Sequence, residues 1–162
     1  MSRTLHATVL PILLCGALAL PQMASSQVSV EGAWTVSEWT VNGKTSPAQP
    51  GMFIFTSTHY SIFHVNRPEP RAKPAQTGAG GMTDAEKAVA FDEITANSGR
   101  YVIEGDLLTT RAFIAKQPAY MALWPDNEQE YRVRRDGDTL TLTFANGNVA
   151  KLVRREGQDR PR

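Results

Sequence analysis

Thr139-Leu140-Thr141-Leu142-Thr143-Phe144 is six residues of unbroken polar and apolar alternation, and it constrains this chain more than any other segment. Side chains along a strand point to opposite faces in turn, so Leu140, Leu142 and Phe144 face a core and the threonines face water. Weaker versions of the same signal recur. Residues 33–41 interleave polar and apolar side chains, with Trp34 and Val36 on one face. Trp39 and Val41 follow after a change of phase at Ser37-Glu38 that a β-bulge would explain. Residues 52–56 and 59–65 are β-rich and joined by Ser57-Thr58, which predicts a tight hairpin. Both runs are apolar on both faces, so each side must be covered or must line a cavity.

Strands are also expected over 100–104, 107–115, 120–124, 130–135 and 148–155. Turn residues close them at Asn42-Gly43, Gly105-Asp106, Pro125-Asp126-Asn127, Asp136-Gly137 and Asn146-Gly147. One segment breaks the pattern. Thr83-Asp84-Ala85-Glu86 has the spacing of a capping box, and Ala88, Phe91 and Ile94 follow at helical intervals, predicting one short helix over 84–96 that stops at Ser98-Gly99. Before it, residues 67–82 hold Pro68, Pro70, Pro74 and three glycines, the composition of a long irregular loop or lid. Eight to ten short strands with sequential turns make a mainly all-β fold. An antiparallel up-and-down sheet of that kind hides its edges best by closing into a barrel.

A chain of 162 residues suits one domain. Seventeen Lys and Arg against sixteen Asp and Glu give no overall attraction to nucleic acid. Residues 1–26 read as an export signal: Arg3 supplies the positive start, residues 9–20 the apolar run, and Ala24-Ser25-Ser26 the small residues at a cleavage site. The run is too short for a comfortable bilayer span. Leu14 stands before Cys15 where a lipoprotein signal needs a small residue, so lipidation is not expected. The exported chain, 27–162, would act in a periplasm or outside the cell, and it would carry no thiol.

Gly32-Ala33-Trp34 opening the first strand resembles the Gly-x-Trp signature of lipocalins and wider calycin barrels, with Arg154 or Arg155 as the basic partner on the last strand. Residues 50–56, His59-Tyr60-Ser61, residues 91–101 and Ala115-Lys116-Gln117-Pro118 resemble the bacterial lipocalin-like domain proteins. That resemblance spans Gly32 to Glu156 and implies a lipocalin-like β-barrel over 27–162. It implies no single shared activity. Gly32, Trp34 and Arg154 are then the residues of barrel closure, an indole covered by a guanidinium.

Several catalytic and metal patterns fail on spacing. His59 and His64 are five apart on one strand and so on opposite faces, which argues against a shared metal. No Gly-x-Ser-x-Gly elbow occurs, and Gly78-Ala79-Gly80-Gly81 lacks the lysine of a phosphate loop. Neither a metal nor a cofactor is expected. Strand parity gives a better candidate: Tyr60, Ile62 and His64; Tyr101 and Ile103; Thr109, Arg111 and Phe113; Tyr131 and Val133 as inward sets. Tyr60, His64, Tyr101, Arg111, Phe113 and Tyr131 would line a ligand pocket, apolar with a few polar groups. An inward Arg111 would need a carboxylate, from the protein or from an acidic ligand.

The leading expectation is a monomeric, non-enzymatic binding protein that holds a small apolar or amphipathic molecule, an acidic one included. Two other readings stay open. One is a barrel isomerase or cyclase in which Tyr60 or His64 moves a proton, supported if His64, Tyr60 and Arg111 converge. The other is a structural or interaction protein that uses Met52, Phe53 or residues 67–82 as a contact surface, supported by an exposed contiguous apolar patch or by self-association.

Overall fold

The computed structural model describes residues 27–73 and 81–155. Residues 1–26, expected to form an export signal and holding Cys15, and residues 74–80 of the irregular stretch lie outside the described residues. Nine strands follow in chain order: β1 (Gly32–Val41), β2 (Lys44–Pro47), β3 (Gly51–Phe55), β4 (His59–Val65), β5 (Ile94–Glu104), β6 (Leu107–Ala115), β7 (Glu128–Asp136), β8 (Thr139–Phe144) and β9 (Val149–Arg154). Two helices interrupt them, α1 (Asp84–Asp92) and α2 (Pro118–Met121). Every pairing is antiparallel, and β9 returns to pair with β1. β2 and β3 lie end to end along one side of β1, against Glu38 to Val41 and Gly32 to Thr35 respectively. The nine strands therefore make a closed barrel of eight staves.

The turns follow their sequence chemistry. Asn42 and Gly43 both take positive φ, 50° and 75°, as a two-residue hairpin requires. The bulge expected in β1 is present, with the register against β9 shifting between Val36 and Glu38. It resets the phase so that Trp34, Val36 and then Trp39 all face inward. The core is built from Trp34, Phe53, Phe55, Tyr60, Ile62, Leu108, Tyr131, Val133, Leu140, Leu142 and Leu152, with Phe144 packed against it. The alternation of β8 thus sets its orientation as expected.

Three local expectations are corrected. The helix starts at its capping box, Thr83 Oγ1 accepting from the Glu86 amide and Glu86 Oε2 accepting from the Thr83 amide at 2.7 Å, but it stops at Asp92. Ile94 to Asn97 belong to β5, which pairs with β4 over seven residues; long-range pairing outweighs the local helical spacing. Ser98-Gly99 is not a helix stop but lies inside β5, opposite a bulge that leaves Phe113 unpaired on β6. A Cβ on Gly99 would fall 1.9 Å from the Arg111 carbonyl oxygen, so only glycine permits this approach. Residues 120–124 are not a strand: Pro118 opens α2, where its fixed φ suits the first helical position.

The fourth correction concerns β6. Its inward residues are Leu108, Thr110 and Ala112, while Phe113 is half exposed and Arg111 pairs with Glu128 across β6 and β7. The expected parity is reversed. Thr110 and Ala112 are small, which leaves room inside the barrel for Tyr60 and Tyr131, and Arg111 finds its carboxylate across the wall on β7.

Candidate functional site

The two ends of the barrel differ. At one end Trp34 is fully buried, its indole Nε1 donating to Val30 O at 2.7 Å. Arg154 covers the ring with its guanidinium carbon 4.4 Å from the centroid, and Arg135 approaches at 5.5 Å. Arg154 is held by Glu31 O, at 3.0 Å from Nη2, and by Asp138, at 3.4 Å from Nε. Gly32 has φ +131°, and a Cβ there would sit 2.5 Å from Arg154 Nη1. Gly32, Trp34 and Arg154 therefore meet as one closed end, the glycine leaving space for the guanidinium. Tyr101 serves the same region: its hydroxyl donates to Thr56 O at 2.6 Å and its ring stacks edge-on to Phe55.

The middle of the barrel is filled. Tyr60 and Tyr131 are buried among Leu108, Leu142 and Phe53. Burial raises both phenols, Tyr131 to about 12. Tyr131 donates to Gln129 Oε1 at 2.8 Å, whereas the Tyr60 hydroxyl is buried beside the Thr110 side chain.

Space opens at the other end. A cleft of about 640 Å³ lies between the β1–β2 hairpin and the exit of β4, walled by Trp39, Val41, Pro47 and Pro68 and edged by Lys44, Ser46, Asn66, Arg67 and Asn148. His64 and Trp39 meet there, ring centroids 4.9 Å apart, with Phe144 5.5 Å from Trp39 and Phe53 5.9 Å from His64. The Trp39 indole N–H is buried and has no acceptor among the described residues. Burial lowers the His64 pKa below its ordinary value, against a smaller opposing effect of the Val65 carbonyl 3.3 Å from Nδ1, so the ring is neutral at pH 7.

The rim is fastened. Arg67 pairs with Glu93 and donates to Glu69 O and Pro70 O, at 3.1 and 2.7 Å. Asn66 accepts from Thr95 Oγ1 at 2.6 Å and Gln49 donates to Pro68 O at 2.7 Å. Lys44, by contrast, has no ion-pair partner among the described residues.

Of the sequence-derived site residues, His64 alone reaches this cleft. Tyr60 and Tyr131 lie in the packed interior, Tyr101 near the closed end, and Arg111 and Phe113 on the outer wall. Tyr60 and His64 share a face of β4 four residues apart, roughly 13 Å along the strand. Tyr60, His64 and Arg111 do not converge. His59 is exposed and His64 buried, on opposite faces as their spacing requires, and among the described residues no three His, Cys, Asp or Glu side chains gather into a metal-holding group. Trp39 and Lys44 were missed as site residues, although the change of phase at Ser37-Glu38 is the signal that points Trp39 inward.

An eight-stave up-and-down barrel plugged by an indole and a guanidinium at one end, and open over a small apolar cleft at the other, defines the class of this protein. Residues 31–158 match the lipocalin-like domain family, and the chain belongs to it. Two crystal structures are similar in fold. One is a lipocalin-like protein from Bacteroides uniformis (13% identity, TM-score 0.48, 77% of this chain and 97% of that one); the other is an uncharacterized protein from Bacteroides eggerthii (12%, 0.47, 77% and 98%). Comparison with curated proteins finds no match.

Proposed function

We propose that this protein is an exported binding module that holds a small amphipathic molecule at the barrel mouth rather than deep inside. The carrying observation is the cleft over Trp39 and His64, whose volume falls in the ordinary range for small-ligand sites and whose walls are apolar. A chain tail lies against Trp39, Val41 and Pro47. An acidic head group takes the Lys44 ammonium, which has no ion-pair partner among the described residues. The acidic preference thus rests on Lys44, since Arg111 is already paired on the outer wall. The apolar run over 9–20 and the small residues at 24–26 support export.

Calorimetric titration with decanoic acid and with decanol as probes tests the reading. Both should bind, and Lys44→Met should weaken the acid about tenfold while leaving the alcohol unchanged, the loss of one charge-assisted hydrogen bond. Binding of neither probe would remove the proposal, and equal losses for both would remove the role of Lys44.

A further inference from the structure

The outer wall of the barrel is divided in character. Over β7, β8 and β9 it carries Glu130, Arg132, Arg134, Thr141 and Lys151. Over β3 to β6 it carries Met52, Ile54, Phe63, Phe113 and Ile114, from 41% to 68% exposed, and Trp124 adds a ring 6.0 Å from that of Phe113. These positions are neighbours. Met52 pairs with Phe63 and Ile54 with Ser61 across β3 and β4, Ser61 with Ser98 across β4 and β5, and Ser98 with Ile114 across β5 and β6. Ser98 Oγ donates to Ser61 Oγ at 2.9 Å, so the hydroxyls at the centre are spent on each other. The bulge at Ser98/Gly99 leaves Phe113 as the extra residue of β6, and both Phe113 and Ile114 end up outside. No Asp, Glu, Lys or Arg stands among these residues. His59 and Arg100 lie at one margin, and Lys116, its Nζ donating to Phe91 O at 2.6 Å, at the other.

The six apolar side chains expose on the order of 600 Å², at the top of what a monomer ordinarily shows, and the two serines at the centre bring the face nearer the ~800 Å² that each partner buries in a standard interface. We propose that two copies of this chain pack against each other through this face about a two-fold axis. An isologous contact places a patch against itself, which an uncharged patch tolerates without like-charge repulsion. The face lies on the flank of the barrel, so the mouth stays open in the dimer.

The test is sedimentation equilibrium between about 1 and 100 µM, a range that spans common dimer affinities. It uses protein expressed from the full sequence, with its mature N-terminus read by intact mass. A reversible dimer is expected. Phe63→Glu with Ile114→Glu should weaken it at least about tenfold with unchanged circular dichroism, and Thr141→Glu on the charged wall should leave it unaltered. Hydroxyl-radical footprinting of the unsubstituted protein needs no variant: Met52, Phe63 and Trp124 should be protected in concentrated solution and oxidised in dilute solution. A monomer at every concentration overturns the proposal. So does equal oxidation at both, a dimer indifferent to the double substitution, or a monomer that instead sediments with neutral phosphatidylcholine vesicles.

Discussion

Two tryptophans five residues apart on β1 both face the interior, yet they do opposite things. Trp34 has its N–H satisfied by Val30 and its ring covered by two guanidinia, and the end it occupies is sealed. Trp39 has its N–H unpartnered among the described residues, a neutral histidine against its ring, and a cleft above it. The difference teaches that an inward indole is a plug or a platform according to what the neighbouring strands and loops bring to it. At the closed end β9 delivers Arg154; at the mouth Pro47 and Pro68 wall the cleft.

The comparison breaks most sharply at Trp34. Trp34→Ala should destabilise the protein by about 3–5 kcal/mol, as deletion of a buried aromatic does, read as a lower denaturant midpoint. Trp39→Ala should cost much less, because part of its ring already faces the cleft, but it should abolish decanoic acid binding. Equal destabilisation by the two would erase the distinction between plug and platform.

Gly32→Ala comes next in size, at about 1–3 kcal/mol, since the new methyl meets Arg154 at a φ that L-residues rarely adopt. Removing the guanidinium alone, by Arg154→Met, should cost about 0.5–2 kcal/mol, the range of a cation–π contact. If Gly32→Ala proved neutral, the glycine would not be what lets Arg154 lie over Trp34.

The smallest effect sharpens the mouth through pH. His64 is held below its ordinary pKa of 6.5, so the unfolded chain binds its proton more readily than the folded one. Its contribution is fully present above that unfolded value and is lost as pH falls through 6.5 toward the lowered folded value. Melting temperature should therefore drop over that window in the parent, and the drop should be shallower in His64→Gln. An unchanged slope would mean that His64 is not the buried titrating group.

How much of this could be read in the sequence depends on the reach of the signal. The turn at Asn42-Gly43, the capping box at Thr83, the bulge near Ser37 and the inward face of β8 are set by a few adjacent residues, and each was legible. The end of α1 was not, because Ile94 to Asn97 fit a helix locally and only their pairing with β4 makes them strand. The face of β6 was not legible either. Leu107 and Leu108 adjoin and Thr109 and Thr110 adjoin, so period two has no preferred phase there. Choosing the wrong phase placed Arg111 and Phe113 inside and misdirected the candidate site, which then missed Lys44 on a four-residue strand no pattern marked.

Alternation and turn chemistry by themselves determined a closed antiparallel barrel, because each acts within two to four residues and a sheet with that many short strands must hide its edges. Tertiary structure alone decided which parts of the barrel are filled and which are empty. Whether a tyrosine fills the interior or an arginine leaves it is fixed by the volume and charge of side chains on neighbouring strands, here Thr110, Ala112 and Glu128, and those neighbours are set by the register of the whole sheet.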